Sequence, residues 1–160
     1  MSISSVGVFD SPYEEILNTF FVDTFNNILQ AEEKALLGVC ENNLSITEFH
    51  VIEKVYIKQN EGQNSMKEIA TSLNITQGSL TVSLGVLEKK GYVKKVKDSI
   101  DKRITLVFLT DEGIKINKKH MDFHKKMIDA IIKDMGENEV INFMKSIGIV
   151  SEYFKNFNSL

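Results

Sequence analysis

Cysteine and proline are all but missing from this chain, which has one of each among its 160 residues. A lone cysteine, Cys40, cannot close an intramolecular disulfide, and the expected compartment is therefore the cytoplasm. No apolar run approaches the roughly 18 residues of a membrane span, and no signal peptide is visible, so no membrane partner is expected. Enzyme signatures are missing as well: there is no glycine-rich phosphate loop, no nucleophile elbow and no cysteine–histidine cluster beyond one set of histidines. The expectation is a protein that is not an enzyme and needs no cofactor. Internal repeats and low-complexity tracts are also lacking. The length suffices for one domain with a real core, or for two smaller lobes.

What is present concentrates between Asn64 and Gly113. Ser65-Met66-Lys67-Glu68 is a capping box, in which the serine hydroxyl accepts from the third amide and the glutamate reaches back to the cap. Ile69, Ala70 and Leu73 give the short helix that follows one apolar face, and Asn74 suits the left-handed position that ends it. Thr76 can cap the next helix. There Leu80, Leu84 and Leu87 recur at i, i+4, i+7 and point inward, while Gly78, Val82 and Gly85 fall on the opposite side, flanked by Gln77, Thr81 and Ser83. Gly91 stops that helix. Tyr92 to Lys97 and Ile104 to Leu109 are rich in β-branched and aromatic residues around a polar tip, Asp98 to Arg103, which is a hairpin pattern. Helix, turn, helix and hairpin make a helix-turn-helix with a wing, a shape that puts one helix into the DNA major groove. The outer face of its second helix is small, polar and uncharged, which suits base edges and thymine methyls.

Charge points the same way. Between Glu88 and Arg103 stand seven basic residues (Lys89, Lys90, Lys94, Lys95, Lys97, Lys102, Arg103) against three acidic ones, in a chain whose net charge is −3. The surplus is local, and a polyanion responds to charge within a Debye length of roughly 8 Å.

The run LNITQGSLTVSLGVLEKKGYVKKVKDSIDKRITLVFLTDEG resembles the MarR family of bacterial transcriptional regulators. The matching features are the Leu-x-x-Leu-x-x-x-Gly-Tyr-Val exit from the recognition helix, the Asp-x-Arg of the wing at Asp101 and Arg103, and the Leu-Thr-x-x-Gly restart at Leu109 to Gly113. The resemblance implies a mainly α fold with a small β-hairpin wing. It places the winged helix-turn-helix at 44–110 and dimerisation helices at 11–43 and 111–158. Its implied partners are double-stranded DNA, as an AT-rich pseudo-palindrome, and a second copy of the chain. Candidate DNA-binding residues are Ser65, Thr76, Gln77, Gly78, Thr81, Val82, Ser83, Lys97, Asp101, Lys102 and Arg103. Among them Gln77 suits a base, Thr81 a phosphate, and Arg103, held by Asp101, the minor groove. The alternative of another class is a winged-helix protein-interaction module that does not bind DNA.

The flanking sequence adds helices. Ser11-Pro12-Tyr13-Glu14 reads as a capping box with the only proline at the first helical position, where its missing amide costs nothing. The helix it starts carries Tyr13, Ile16, Leu17, Phe20, Phe21, Phe25, Ile28 and Leu29, an apolar arc wide enough to be buried on two sides. Ser45-Ile46-Thr47-Glu48 is a third box, Thr110 caps a long helix with Asp111 and Glu112 in its first turn, and Gly136 breaks it. The last helix carries Val140, Met144, Ile147, Phe154 and Phe157.

A narrower likeness lies in these flanks. Asn26-Asn27-Ile28-Leu29 with Glu32-Glu33, then Ser45 to His50, then His120 to Met127, are similar to MarR-type repressors of fatty-acid synthesis genes in Gram-positive bacteria. That group implies a long-chain acyl group on acyl carrier protein as co-repressor, with Phe21, Phe25, His50, His120 and Phe123 as candidate pocket residues. Lys115, Lys118 and Lys119 are then candidates for docking the acidic carrier. His120 and His124 are also i, i+4 neighbours, and with His50 they resemble the zinc-sensing MarR regulators. Zinc is the effector in that alternative. Cys40 as a peroxide-sensing thiol is a further one, although only Lys34 lies within a couple of helical turns to activate it.

Overall fold

The computed structural model describes residues 9–36 and 44–157, so the expectation for Cys40 falls outside the described residues. The element order is α1 (Pro12–Thr19), a π-helical turn (Phe20–Thr24), α2 (Phe25–Leu36), α3 (Ile46–Asn60), α4 (Met66–Ser72), α5 (Gln77–Lys89), β1 (Val93–Lys97), β2 (Thr105–Leu109), α6 (Asp111–Ile132) and α7 (Glu137–Phe157). The chain divides into two compact units, Met1–His120 and Met121–Leu160.

Local chemistry accounts for most boundaries of the first unit. Ser45 and Ser65 each accept the N–H of the glutamate three residues on, and each glutamate returns a carboxylate to the serine N–H. Ser11 makes half of this arrangement: its hydroxyl takes the Glu14 N–H at 3.3 Å, but the Glu14 carboxylate takes the Asp10 N–H at 2.8 Å. Asn74 (φ 55°) and Gly91 (φ 81°) hold the left-handed positions that close α4 and α5. In each case the following amide reaches back five residues, Ile75 N–H to Ala70 C=O at 3.1 Å and Tyr92 N–H to Leu87 C=O at 2.9 Å. These are Schellman closures, which satisfy carbonyls that the helix end leaves open.

The core sits under the helix-turn-helix. Phe49, Ile52 and Val55 of α3, Ile69 and Ala70 of α4, Leu80, Leu84 and Leu87 of α5, and Val93, Val107 and Leu109 of the hairpin form one buried cluster with Ile116 of α6. The three leucines of α5 are fully buried. Each is worth about 1.5–3 kcal/mol of burial, enough to fix which face α5 turns outward. Gly113 has a steric reason: a Cβ there would collide with the Tyr92 carbonyl oxygen, so α6 can start against the α5–β1 turn only with glycine.

The strands pair antiparallel with Val93 opposite Leu109 and Lys97 opposite Thr105. Ser65 bridges antiparallel to Leu106 beside this pair, and Asn64 supplies bonds to the next residue, Val107. The Asn64 backbone carbonyl accepts the Val107 N–H at 2.9 Å and its Nδ2 donates to the Val107 carbonyl at 2.8 Å. Gln59 of α3 adds a second tie, accepting the Leu109 N–H at 2.9 Å. The wing is thereby anchored to the α3–α4 junction.

The first helix is not continuous as its sequence suggests. The π turn at Phe20–Thr24 interrupts it where Phe20, Phe21 and Phe25 crowd together, with ring centroids 5.6 and 6.3 Å apart. No side chain of α1 or the π turn is buried. In the second unit, Gly136 N–H donates to Glu139 at 2.7 Å and opens α7, whose Met144, Ile147, Ile149 and Tyr153 are all exposed. No helix of the described residues is long and apolar enough to cross a membrane.

Candidate nucleic-acid interface

The exposed side of α5 is built by what its buried side needs. With Leu80, Leu84 and Leu87 inward, Gln77, Gly78, Thr81 and Val82 lie outward, and Val82 is 70% exposed. Thr76 caps the helix by accepting the Ser79 N–H at 3.1 Å. Thr81 donates its hydroxyl to the Gln77 carbonyl at 2.7 Å and Ser83 to the Ser79 carbonyl at 3.3 Å, which leaves both oxygens able to accept or exchange partners. The Gln77 side chain is exposed at the helix start, and Ser65 at the start of α4 uses its hydroxyl within its own capping box. An uncharged helix surface thus lies beside a charged hairpin, the first suited to base edges and the second to phosphates.

Arg103 dominates the wing. Its Nε and Nη2 donate to the two Asp101 oxygens at 3.0 and 2.9 Å, while 91% of its side chain stays exposed. That is a bidentate pair that aims a guanidinium without hiding it. The Arg103 guanidinium holds the Asp101 carboxyl below the usual carboxylate range, and the pairing raises Arg103 in turn. Lys97 donates to Thr105 across the strands at 2.9 Å, and Lys102 is exposed beside Arg103.

The local charge surplus is smaller than the sequence suggests. Lys90 turns back to bind Glu48, an acid outside the Glu88–Arg103 stretch, at 2.8 and 3.0 Å, whereas Lys95 pairs at 2.9 Å with Glu88, already counted within it. Burial pushes the Glu48 carboxyl up, but the Lys90 ammonium and the Ser45 amide outweigh it and hold the group below its ordinary value. The Lys90–Glu48 contact joins the end of α5 to the start of α3, so it positions α5. Glu48 and Lys90 are 42 residues apart, which is why no local pattern reveals the pair.

A second polar centre lies in the same unit, away from the wing. Glu32 of α2 and His120 of α6 are 2% and 0% exposed, with Glu32 Oε1 2.6 Å from His120 Nε2. His50 Nε2 is 3.4 Å from the same oxygen, and Glu53 Oε2 is 3.7 Å from His120 Nδ1. Phe49 stacks on the His120 ring with centroids 5.4 Å apart. Glu32, His50 and His120 each offer a ligand atom, and these lie within 4.8 Å of one another. A tetrahedral ion with bonds near 2.0–2.2 Å sets neighbouring ligand atoms about 3.3 Å apart. The Glu32–His50 distance fits that spacing already, whereas the Glu32–His120 hydrogen bond would have to lengthen. Glu32, which stands near the histidine-bearing helices in sequence beside Glu33, is the carboxylate that reaches both histidines.

Of the other expected pocket residues, Phe21 and Phe25 stack on each other with centroids 6.3 Å apart. Phe25 is exposed, Phe21 is half-buried, and Phe123 and His124 are half-buried on α6 in the second unit. Lys115, Lys118 and Lys119 are all exposed on α6, and Lys115 pairs with Glu112 at 2.6 Å. Two open cavities occur elsewhere among the described residues. One of about 790 Å³ lies between α4 and the wing, and a smaller one of about 290 Å³ lies between α5 and the strands, lined by Thr81, Lys95, Lys97 and Thr105.

Residues 38–120 match the family model described as transcriptional regulator SarA/Rot. Over 119 residues the chain is 28% identical to the HTH-type transcriptional regulator MhqR of Bacillus subtilis, covering 72% of this chain and 80% of that protein. Streptococcus pneumoniae FabT in complex with DNA superposes with a TM-score of 0.80 at 31% identity, covering 91% of this chain and 99% of that one. The S. aureus MepR–DNA complex, at 18% identity and a TM-score of 0.72, covers 86% and 95% and shares the fold.

Proposed function

We infer a function from one premise: the chain belongs to the SarA/Rot family of transcriptional regulators, of the MarR winged-helix type. It is a DNA-binding regulator, and the finer reading we propose is repression of fatty-acid synthesis genes with long-chain acyl-acyl carrier protein as co-repressor. The likeness to FabT over nearly the whole chain carries this reading. Two copies bind one operator, α5 of each in successive major grooves about one helical turn apart. The exposed apolar faces of α1, α2 and α7 are the surfaces that a second copy would cover. A monomer in sedimentation at micromolar concentration would contradict the dimer.

The co-repressor works by differential affinity. An acyl chain tightens operator binding only if the DNA-competent dimer holds it better than the open one does. A coupling of 1–3 kcal/mol is typical, roughly 5- to 150-fold. Docking of the acidic carrier through Lys115, Lys118 and Lys119 makes free fatty acid the weaker effector.

A second reading is favoured by the Glu32–His50–His120 cluster: the effector is zinc, held by one carboxylate and two imidazoles. Operator affinity titrated with long-chain acyl-acyl carrier protein, with EDTA and with added zinc separates the two. Tightening by the acyl carrier alone supports the first reading. Insensitivity to the carrier with strong zinc dependence supports the second.

A further inference from the structure

Ile100 stands at the outer end of the wing with 94% of its surface exposed, more than any other large apolar residue described. Its position is fixed. Asp98 Oδ1 accepts the N–H of Ile100 at 2.9 Å and of Asp101 at 2.8 Å. Behind that turn the Asp98 N–H donates to the Ile104 carbonyl at 3.0 Å, and the Ile104 N–H to the Asp101 carbonyl at 2.9 Å. The amides of Asp101 and Ile100 hold the Asp98 carboxyl below its ordinary range, and Arg103 does the same for Asp101. Both carboxylates are thus engaged by the tip itself.

The six residues Asp98 to Arg103 contain two acids and two bases. Such a tip has no net charge, so the field of the phosphates does not account for its shape. What it presents to a groove is an apolar end on a rigid turn, three positions before an exposed guanidinium. We propose that Ile100 is a specificity-determining residue: it enters the minor groove beside Arg103, packs on deoxyribose faces and wedges at a flexible pyrimidine–purine step. The proposal rests on the reading of the chain as an operator-binding winged helix. It adds a shape-dependent preference at base pairs that α5 does not touch.

The test uses an operator duplex selected by the wild-type chain from a random pool. Affinity is measured over a salt series for wild type, Ile100→Ser and Arg103→Ala, on that operator and on one whose step beneath the wing is replaced by a stiffer G·C step. Ile100→Ser is expected to bind the selected operator about tenfold more weakly and to lose the distinction between the two duplexes. Its log–log salt slope should match wild type, because an apolar contact releases no counterions. Arg103→Ala should lower both affinity and slope. Wild-type affinity and discrimination in Ile100→Ser, beside a weakened Arg103→Ala, would overturn the role of Ile100 and leave the operator reading intact. Failure of the wild-type chain to select any duplex would overturn both.

Discussion

Asn64→Ala isolates the anchoring of the wing. In the folded chain Asn64 Nδ2 donates to the Val107 carbonyl at 2.8 Å and the Asn64 carbonyl accepts the Val107 N–H at 2.9 Å, so both polar groups of Val107 are committed to Asn64. Alanine keeps the backbone bond and deletes the side-chain one. Both residues are buried, so the Val107 carbonyl would lose a partner that water cannot readily replace, a cost of about 1–3 kcal/mol. Urea unfolding reads this directly. The functional consequence is separable. If Asn64 fixes the wing and Arg103 acts through the wing, the two substitutions share one contribution to operator affinity. Under conditions where all variants are folded, Asn64→Ala should lose less than Arg103→Ala, itself expected to lose roughly 5- to 150-fold. The double variant should lose less than the product of the two single losses. Strictly multiplicative losses, or full affinity in Asn64→Ala, would refute the view that this tie positions the wing.

Other perturbations address different parts of the molecule. Glu32→Ala leaves the fully buried His120 ring without its 2.6 Å partner and should destabilise the chain by about 2–4 kcal/mol in urea, whereas a change under about 0.5 kcal/mol would contradict the buried pair. Lys97→Ala should weaken binding evenly across sequences and reduce the log–log salt slope by about 1, while a change in sequence preference would argue against a phosphate contact. The Asp101 carboxyl is depressed in the folded chain by Arg103, so the order this pair gives the wing is present above the ordinary carboxylate range and is lost only as pH falls through the depressed value. An NMR titration of the Asp101 side chain with its midpoint at or above the ordinary value would remove that pairing from the account.

Much of the winged helix could be read in the sequence because its determinants are local. Caps at Ser45, Ser65 and Thr76, left-handed stops at Asn74 and Gly91, and the i, i+4, i+7 leucines of α5 each act within a few residues. The Asp101–Arg103 pair is likewise two residues long. What could not be read is set by contacts between distant segments. Asn64 ties the hairpin through a partner 43 residues away. Lys90 counts as DNA-facing charge until Glu48, brought close by the packing of α3 against α5, claims it. Glu32 joins His120 across 88 residues, and no spacing rule on one helix anticipates a carboxylate from another. The π turn escaped for a different reason: apolar periodicity reports which residues share a face and is nearly blind to one extra residue per turn.

The most direct test of operator reading by α5 and the wing is a hydroxyl-radical footprint of the wild-type chain on its selected duplex, repeated with Gln77→Ala. The expected pattern has two blocks of sugar–backbone protection about one helical turn apart, each extending across the adjoining minor groove, with the Gln77→Ala chain keeping the spacing but tolerating base changes within each half-site. Protection along one face with no half-site spacing, or an unchanged base preference in Gln77→Ala, would contradict it.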